Sequence, residues 1–424
     1  MNPISFFQKL ALCILLATPT ALSAQTILTL EEAYRLAPEN SAIAGNEVLL
    51  ETASELRSEN INTSKMPSLD LKGRASWQNE VFGLPVDFPG VDFSVPHTNV
   101  QLSLEAGYLL YDGGLREARL ALERSRLEVD RQQLQTELYA LREKVEKAYF
   151  GALLIQEQQK LVELTRKDIA AKAEQLESAV RNGVALESDL KKLQVELLKI
   201  DATLEALESD RRAALAVLAS LTGLEQGETP TLQLPVFEEN LEAEWRRPEL
   251  ALFDLQQQQL HAANDLTAAG RRPKLSLFAQ TGLGYPDPLN FFDDEVSPFF
   301  IGGLQFSWKI WDWGQADREY QERSVQMLLL RNRRKAFEQG LEHQRGRFAE
   351  EINKWKAQMA AAEKIAQMEA DILKQVSAQL DNGTATATDY LLQSNAELKA
   401  RLNMELYRIQ LAQTLAAWHT WAGE

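Results

Sequence analysis

Between Gly114 and Asn182 the chain runs without a proline, and Gly151 is the only glycine inside that stretch. Leu134, Leu138, Leu141, Val145, Ala148, Ala152 and Ile155 step alternately by four and three. That spacing is a heptad seam, the pattern of helices packed as a coiled coil. At 1.5 Å per residue such a helix reaches roughly 100 Å, far beyond an ordinary core helix. A second seam, Leu186, Leu190, Leu193, Leu197, Ile200, Leu204 and Leu207, starts soon after Asn182-Gly183. Two long helices joined by a sharp corner are therefore expected.

The same arrangement is written again. Gly183 corresponds to Gly383, Asp189 to Asp389, Asp112 to Asp312 and Gly223 to Gly423, each pair 200 positions apart. YDGG at Tyr111 to Gly114 is echoed by WDWG at Trp311 to Gly314. Self-similarity at a fixed offset marks a tandem duplication. The expected organisation is a first repeat over 25–230 and a second over 231–424. Each has a helix, two strands and a long helical hairpin. The seam of the second repeat is less regular, with Ile352, Trp355 and Met359 its clearer members. A Lys9-led apolar run ending in small residues reads as a secretory signal peptide over 1–24. Cys13, the single cysteine, falls inside it, so a processed chain has neither a disulfide nor a Cys-based metal site.

The strands alternate. Leu69, Leu71, Gly73, Ala75 and Trp77 interleave with Asp70, Lys72, Arg74, Ser76 and Gln78. Val100 to Tyr108, Leu275 to Ala279 and Phe300 to Ile310 alternate likewise, with Ile301 on the polar side. Tyr108, Tyr111, Trp308, Trp311 and Trp313 collect near strand ends, as in an interfacial aromatic girdle. No stretch beyond the leader holds the run of about 18 apolar residues that a spanning helix needs. Strands closed into a barrel are the remaining way across a bilayer. Four strands are too few, since spanning barrels begin at about eight, so copies would have to share one. The other reading is a soluble periplasmic coiled-coil scaffold or adaptor with a half-buried sheet.

A net charge of -16 argues against nucleic acid as partner. His97, His261, His343 and His419 are scattered, and no nucleophile, phosphate-loop or dinucleotide motif occurs. No catalytic, cofactor or metal residues are assigned. The six methionines form no cluster of the kind a metal path would need.

The ordered set of LTLEEAYRLA, QLSLEAGYLLYDGGLREARL, two Asn-Gly-x5-Asp corners, RRPEL and WDWGQADR resembles the TolC-type outer-membrane efflux proteins over nearly the whole processed chain. The resemblance implies a mostly α fold with a β-barrel part. Long antiparallel coiled-coil helices would form a periplasmic tunnel, and four strands per chain would enter a shared trimeric 12-stranded barrel. It implies a homotrimer in outer-membrane lipid that works as a passive exit duct for efflux or type I secretion. Its partners would be a periplasmic adaptor protein and an inner-membrane pump. The corners would be the periplasmic tips. Gly183, Val184, Ala185, Leu186, Gly383 and Thr384 would meet the adaptor, and Asp189 and Asp389 would ring the pore constriction. Both aspartates, with Thr386 and Thr388, are also placed to cap helix starts. Ala385 stands where some relatives carry an arginine, leaving Arg181 or Lys191 as replacement cations. Asp87, Asp92, Asp293, Asp294 and Glu295 would face outside.

Overall fold

The computed structural model describes residues 27–81, 95–225, 229–290 and 293–424. The leader over 1–24, with Cys13, lies outside the described residues, as do Asp87 and Asp92. The chain divides into two compact units, and each takes segments from both sequence repeats.

One unit comprises residues up to Asn40, Glu143–Glu239 and Glu351–Ala416. Strand β1 (Ile27–Leu28) pairs in parallel with β4 (Thr231–Leu232). Helix α1 (Leu30–Glu39) starts where the Thr29 hydroxyl accepts the Glu32 N–H at 3.2 Å. It buries Leu30, Ala33 and Ala37. Most of α4 (Leu141–Arg181), all of α5 (Glu187–Thr222), the later part of α7 (Gln315–Asp381) and most of α8 (Ala387–Ala422) complete the unit. Its first core gathers Leu28, Val145, Tyr149, Phe150, Leu153 and Leu218. Tyr149 is 0% exposed, and its hydroxyl bonds the Leu28 and Gln233 carbonyls at 2.9 and 2.7 Å. The end of α5 is tied to α1 by the Asn40 amide, which donates to Leu36 and Thr222 oxygens at 2.9 and 2.8 Å. Gly223, at φ +73, lets the chain pass there, since a Cβ would lie 2.3 Å from Asn40.

The seams face inward, some members fully buried and most others half-buried. Val145 and Ala152 are buried on α4, as are Leu193 and Ile200 on α5. Leu186 departs from its seam and stands 68% exposed.

The other unit holds residues Ser41–Arg142, Asn240–Glu350 and Ala417–Glu424. Helix α2 (Asn46–Asn62) leads into the sheet strands β2 (Ser68–Trp77) and β3 (Thr98–Tyr111), and α3 (Leu115–Tyr139) follows. Helix α6 (Pro248–Gly270) then leads into β5 (Lys274–Tyr285) and β6 (Ser297–Ser307). Helix α3 packs on α2 and α6. The long first-repeat helix is interrupted at Ala140, whereas α7 runs unbroken for 67 residues. The Thr136 hydroxyl bonds back to the Gln132 carbonyl at 3.0 Å just before the interruption, a contact that bends helices.

The sheet order is β2-β3-β5-β6, antiparallel throughout. Leu71 stands opposite Leu104, Leu104 opposite Thr281, and Thr281 opposite Phe300. The next row, on the other face, is Asp70, Glu105, Gln280 and Ile301. Lys72 reaches Glu105 at 2.5 Å, and Gln280 bonds Ser103 and Glu105 on that polar side. The apolar face is uncovered, with Leu71 72%, Leu104 41% and Phe300 67% exposed. Strand β6 stops at Ser307, short of Trp308 and Ile310. The Trp308 indole instead donates to the Arg271 carbonyl at 3.0 Å. Among the described residues no helix is long and apolar enough to cross a membrane.

Both strand-to-helix junctions share one turn. The Asp112 carboxylate accepts the N–H of Gly114 at 2.9 Å and Arg116 at 2.8 Å, and Asp312 accepts those of Gly314 and Ala316 at 3.0 and 3.2 Å. These bonds hold the Asp312 carboxyl below the usual carboxylate range.

Candidate functional site at the helical corners

The two Asn-Gly corners lie in the first unit and end their helices alike. The Gly183 N–H donates to the Val180 carbonyl at 2.9 Å, and the Val184 N–H to Ala179 at 3.0 Å. At the second corner Gly383 donates to Leu380 at 3.0 Å, and Thr384 to Gln379 at 2.9 Å. Each is a Schellman ending with its glycine left-handed, at φ +75 and +73. Open space surrounds both glycines, so backbone strain alone opposes a side chain there. Valine at either position is expected to lower stability by about 1–2 kcal/mol. Thermal unfolding of each variant in detergent measures it, and unaltered melting of both would overturn this account of the corner.

The following helices start differently. At the second corner the Thr386 hydroxyl accepts the Asp389 N–H at 3.2 Å, while Asp389 Oδ2 accepts the Thr386 N–H at 2.9 Å and its hydroxyl at 2.7 Å. This is a reciprocal capping box. The Thr386 N–H and then its hydroxyl, with Lys192 adding positive charge, hold the Asp389 carboxyl below its usual range. At the first corner Leu186 occupies the equivalent place and offers no side-chain cap. Val184 and Leu186 are 78% and 68% exposed. Asp189 is paired with Lys192 at 3.0 Å, and the same ammonium bonds Thr388 at 3.0 Å, joining α5 to α8.

Between the corners lies a groove of about 540 Å³, lined in part by Val184, Ala185, Leu186, Asp189 and Gly383. Lys172 crosses it from α4 to both carboxylate oxygens of Asp381, at 2.9 and 3.0 Å. Its ammonium stands 5.7 Å from the Tyr390 ring centre. Burial, followed by the nearby charges of Asp168, Asp381 and Glu397, pushes the Tyr390 phenol up to about 12. Deeper in, burial raises the Glu397 carboxyl, partly offset by Arg401 beside it.

The same family model, described as outer membrane efflux protein, matches residues 55–224 and again 241–424. The chain belongs to the outer membrane efflux protein family. No curated protein matches the sequence. Solved structures do match this efflux protein. The outer membrane protein VceC of Vibrio cholerae is 13% identical, with TM-score 0.64 over 93% of this chain and 96% of that one. The open-state outer membrane channel MtrE of Neisseria gonorrhoeae is 17% identical, with TM-score 0.64 over 93% and 88%. The outer membrane channel CmeC of Campylobacter jejuni is 14% identical, with TM-score 0.61 over 93% and 85%. At these identities they show the shared fold: mostly helical, with long helical hairpins and a four-stranded sheet. Family membership makes this efflux protein a conduit of the outer membrane rather than a catalyst. Among its described residues no group of three or more His, Cys, Asp or Glu is placed to hold a metal.

In this efflux protein, Val184, Ala185, Leu186, Asp189 and Gly383 line the groove, and Gly183, Thr384 and Asp389 sit on the corners beside it. Sequence reading missed Lys172, Lys192, Asp381 and Tyr390. Lys191 pairs within its own helix with Glu187, at 2.8 Å. The cations that bridge elements at the corners are Lys172 and Lys192, set inside helical patterns where nothing local singles them out.

Proposed function

We propose that three copies of this chain close one outer-membrane barrel and extend as a helical tunnel into the periplasm. There the corners meet a periplasmic adaptor and, through it, an inner-membrane pump, making the trimer the exit duct of a tripartite efflux or secretion system. The observation that carries this is the open sheet. Its apolar face is bare, and its outer strands β2 and β6 run in opposite directions, so β2 of a second copy continues the antiparallel pairing along β6. Repetition removes every edge once the ring closes. A soluble protein with this sheet would leave that face against water, whereas large contiguous apolar patches mark membrane or partner contacts.

The duplication supports one hairpin pair per repeat, 25–230 and 231–424, behind a leader over 1–24. The unlike corners support a division of labour. The first gives up its cap and presents Val184 and Leu186, with Gly183 and Ala185, as an apolar knob for a partner helical hairpin. The second, with Gly383 and Thr384 beside it, keeps its capping box. Asp389 spends both side-chain bonds on Oδ2, leaving a carboxylate to ring the constriction with Asp189.

The experiment is purification from outer-membrane fractions, with native mass measurement and single-channel recording. A trimer enclosing a single cation-preferring pore is expected, and Asp389→Asn should reduce the preference. A chain that stays monomeric in plain buffer without lipid affinity overturns the proposal.

A further inference from the structure

The sheet has two unlike rims, both within the second unit. Ser68 stands opposite Gly107, Tyr111 opposite Leu275, and Lys274 opposite Ser307. The start of β2, end of β3, start of β5 and end of β6 therefore share one rim, from which α3 and α7 leave. On a chain of net charge -16, this rim is rich in cations. Lys65, Arg271, Arg272 and Lys309 are all exposed there, and Arg271 is paired with the Asp312 and Asp317 carboxylates at 3.8 and 3.7 Å. The opposite rim carries Asp287, Asp293, Asp294 and Glu295 between β5 and β6.

Aromatic residues stand among the cations. Trp311 and Trp313 are 71% and 80% exposed and meet edge to face, 6.0 Å between ring centres. Trp308, through its bond to the Arg271 carbonyl, sets an indole beside that arginine. Trp313 lies at φ +55, a conformation that disfavours every side chain but glycine. Its counterpart in the first repeat is Gly113, at φ +72. The Arg318 guanidinium bonds the Trp313 carbonyl at 2.9 Å and helps hold the turn. Backbone strain kept for an indole that packs into no core points to a surface role.

We propose that this rim is a binding surface for anionic phospholipid headgroups, with the indoles at the acyl boundary and Lys65 and Lys309 on the phosphates. The proposal rests on the barrel reading above, which sets this rim at the level of one leaflet's headgroups. Charge complementarity selects the occupant: a basic, aromatic rim on an acidic chain matches anionic lipid, and the acidic rim does not. Arg271 and Arg272 are set apart, because the Arg271 guanidinium faces the Asp312 and Asp317 carboxylates and that of Arg272 bonds the Gly113 carbonyl at 3.2 Å and serves the junction.

The test uses the full chain in detergent and in vesicles. Native mass spectrometry with added phosphatidylglycerol or phosphatidylcholine reads the preference directly. The wild-type chain should retain phosphatidylglycerol preferentially, and each neutralised cation should lower that preference by about fivefold at low salt. The variant Lys65→Gln/Lys309→Gln should lose most of it. Trp313→Gly restores the first repeat's residue and so should fold. Its fluorescence should be quenched less by brominated phosphatidylglycerol than that of the wild type. Equal retention of both lipids by the wild type overturns the proposal, as does undiminished preference in the double variant. Displacement of phosphatidylglycerol by inorganic phosphate marks a free-anion site and overturns it too. A chain entering vesicles of either lipid equally well sinks this inference alone. One entering neither sinks the barrel reading with it.

Discussion

Arginine in place of Leu104 is expected to prevent the chain from accumulating in the outer membrane, while arginine in place of Gln101 is not. Leu104 sits mid-strand on the apolar face between Leu71 and Thr281, and Gln101 lies on the polar face opposite Arg74. A guanidinium on the lipid side of a barrel strand costs about 2–4 kcal/mol near the midplane, and a trimer bears it three times over. A guanidinium on the polar side meets water and a row of hydrogen-bonding groups. A soluble sheet makes the opposite forecast, since a charge at a bare apolar position improves solubility. Fractionation of cells carrying each variant separates the two. Normal amounts of trimeric Leu104→Arg in the outer membrane would falsify the lipid-facing assignment.

Tyr149→Ala is expected to destabilise the first unit by about 3–5 kcal/mol, the usual cost of emptying a fully buried aromatic site. The ring fills a core made from α1, α4, α5 and α8, and its hydroxyl bridges the Leu28 and Gln233 carbonyls beside the β1-β4 pair. Tyr149→Phe keeps the ring and should cost less, about 1–3 kcal/mol, because the two carbonyls lose the one phenolic donor they share and the Gln233 N–H loses its acceptor at 3.1 Å. The same residue sets an alkaline limit. Burial is the dominant cause that pushes its phenol up to about 12. In the unfolded chain a tyrosine ionises near 10. The neutral, buried ring therefore stabilises the fold fully below about pH 10, and that contribution is lost as pH rises through about 12. Tyr390 acts in the same direction. Melting of the helical circular dichroism in detergent between neutral and strongly alkaline pH checks this. Tyr149→Phe should flatten the alkaline decline, and an identical decline in wild type and variant would count against the assignment.

The contrast between the two corners carries much of the functional reading, and it was half visible in advance. Asn-Gly followed after five intervening residues by aspartate announced both turns, because a left-handed glycine after a helix is a local demand of chirality. The aspartates were equally legible as helix-start residues. The asymmetry was not: Thr386 and Asp389 bond each other, whereas Leu186 leaves α5 uncapped and Asp189 turns to Lys192. Those outcomes depend on which neighbour each side chain meets.

The sequence by itself determined the duplication, the heptad seams, the strand alternation and the glycine corners. Each is a periodicity or a steric constraint that acts within a few residues and needs no knowledge of distant chain. Only the tertiary structure decided that the compact units cut across the repeats, that Lys172 reaches Asp381 209 positions away, and that Tyr149 holds two remote carbonyls. It also decided that Leu186 leaves its seam and that the helix breaks at Ala140. Those features arise where separate segments compete for the same contacts, and pairing over such separations leaves no local pattern to read.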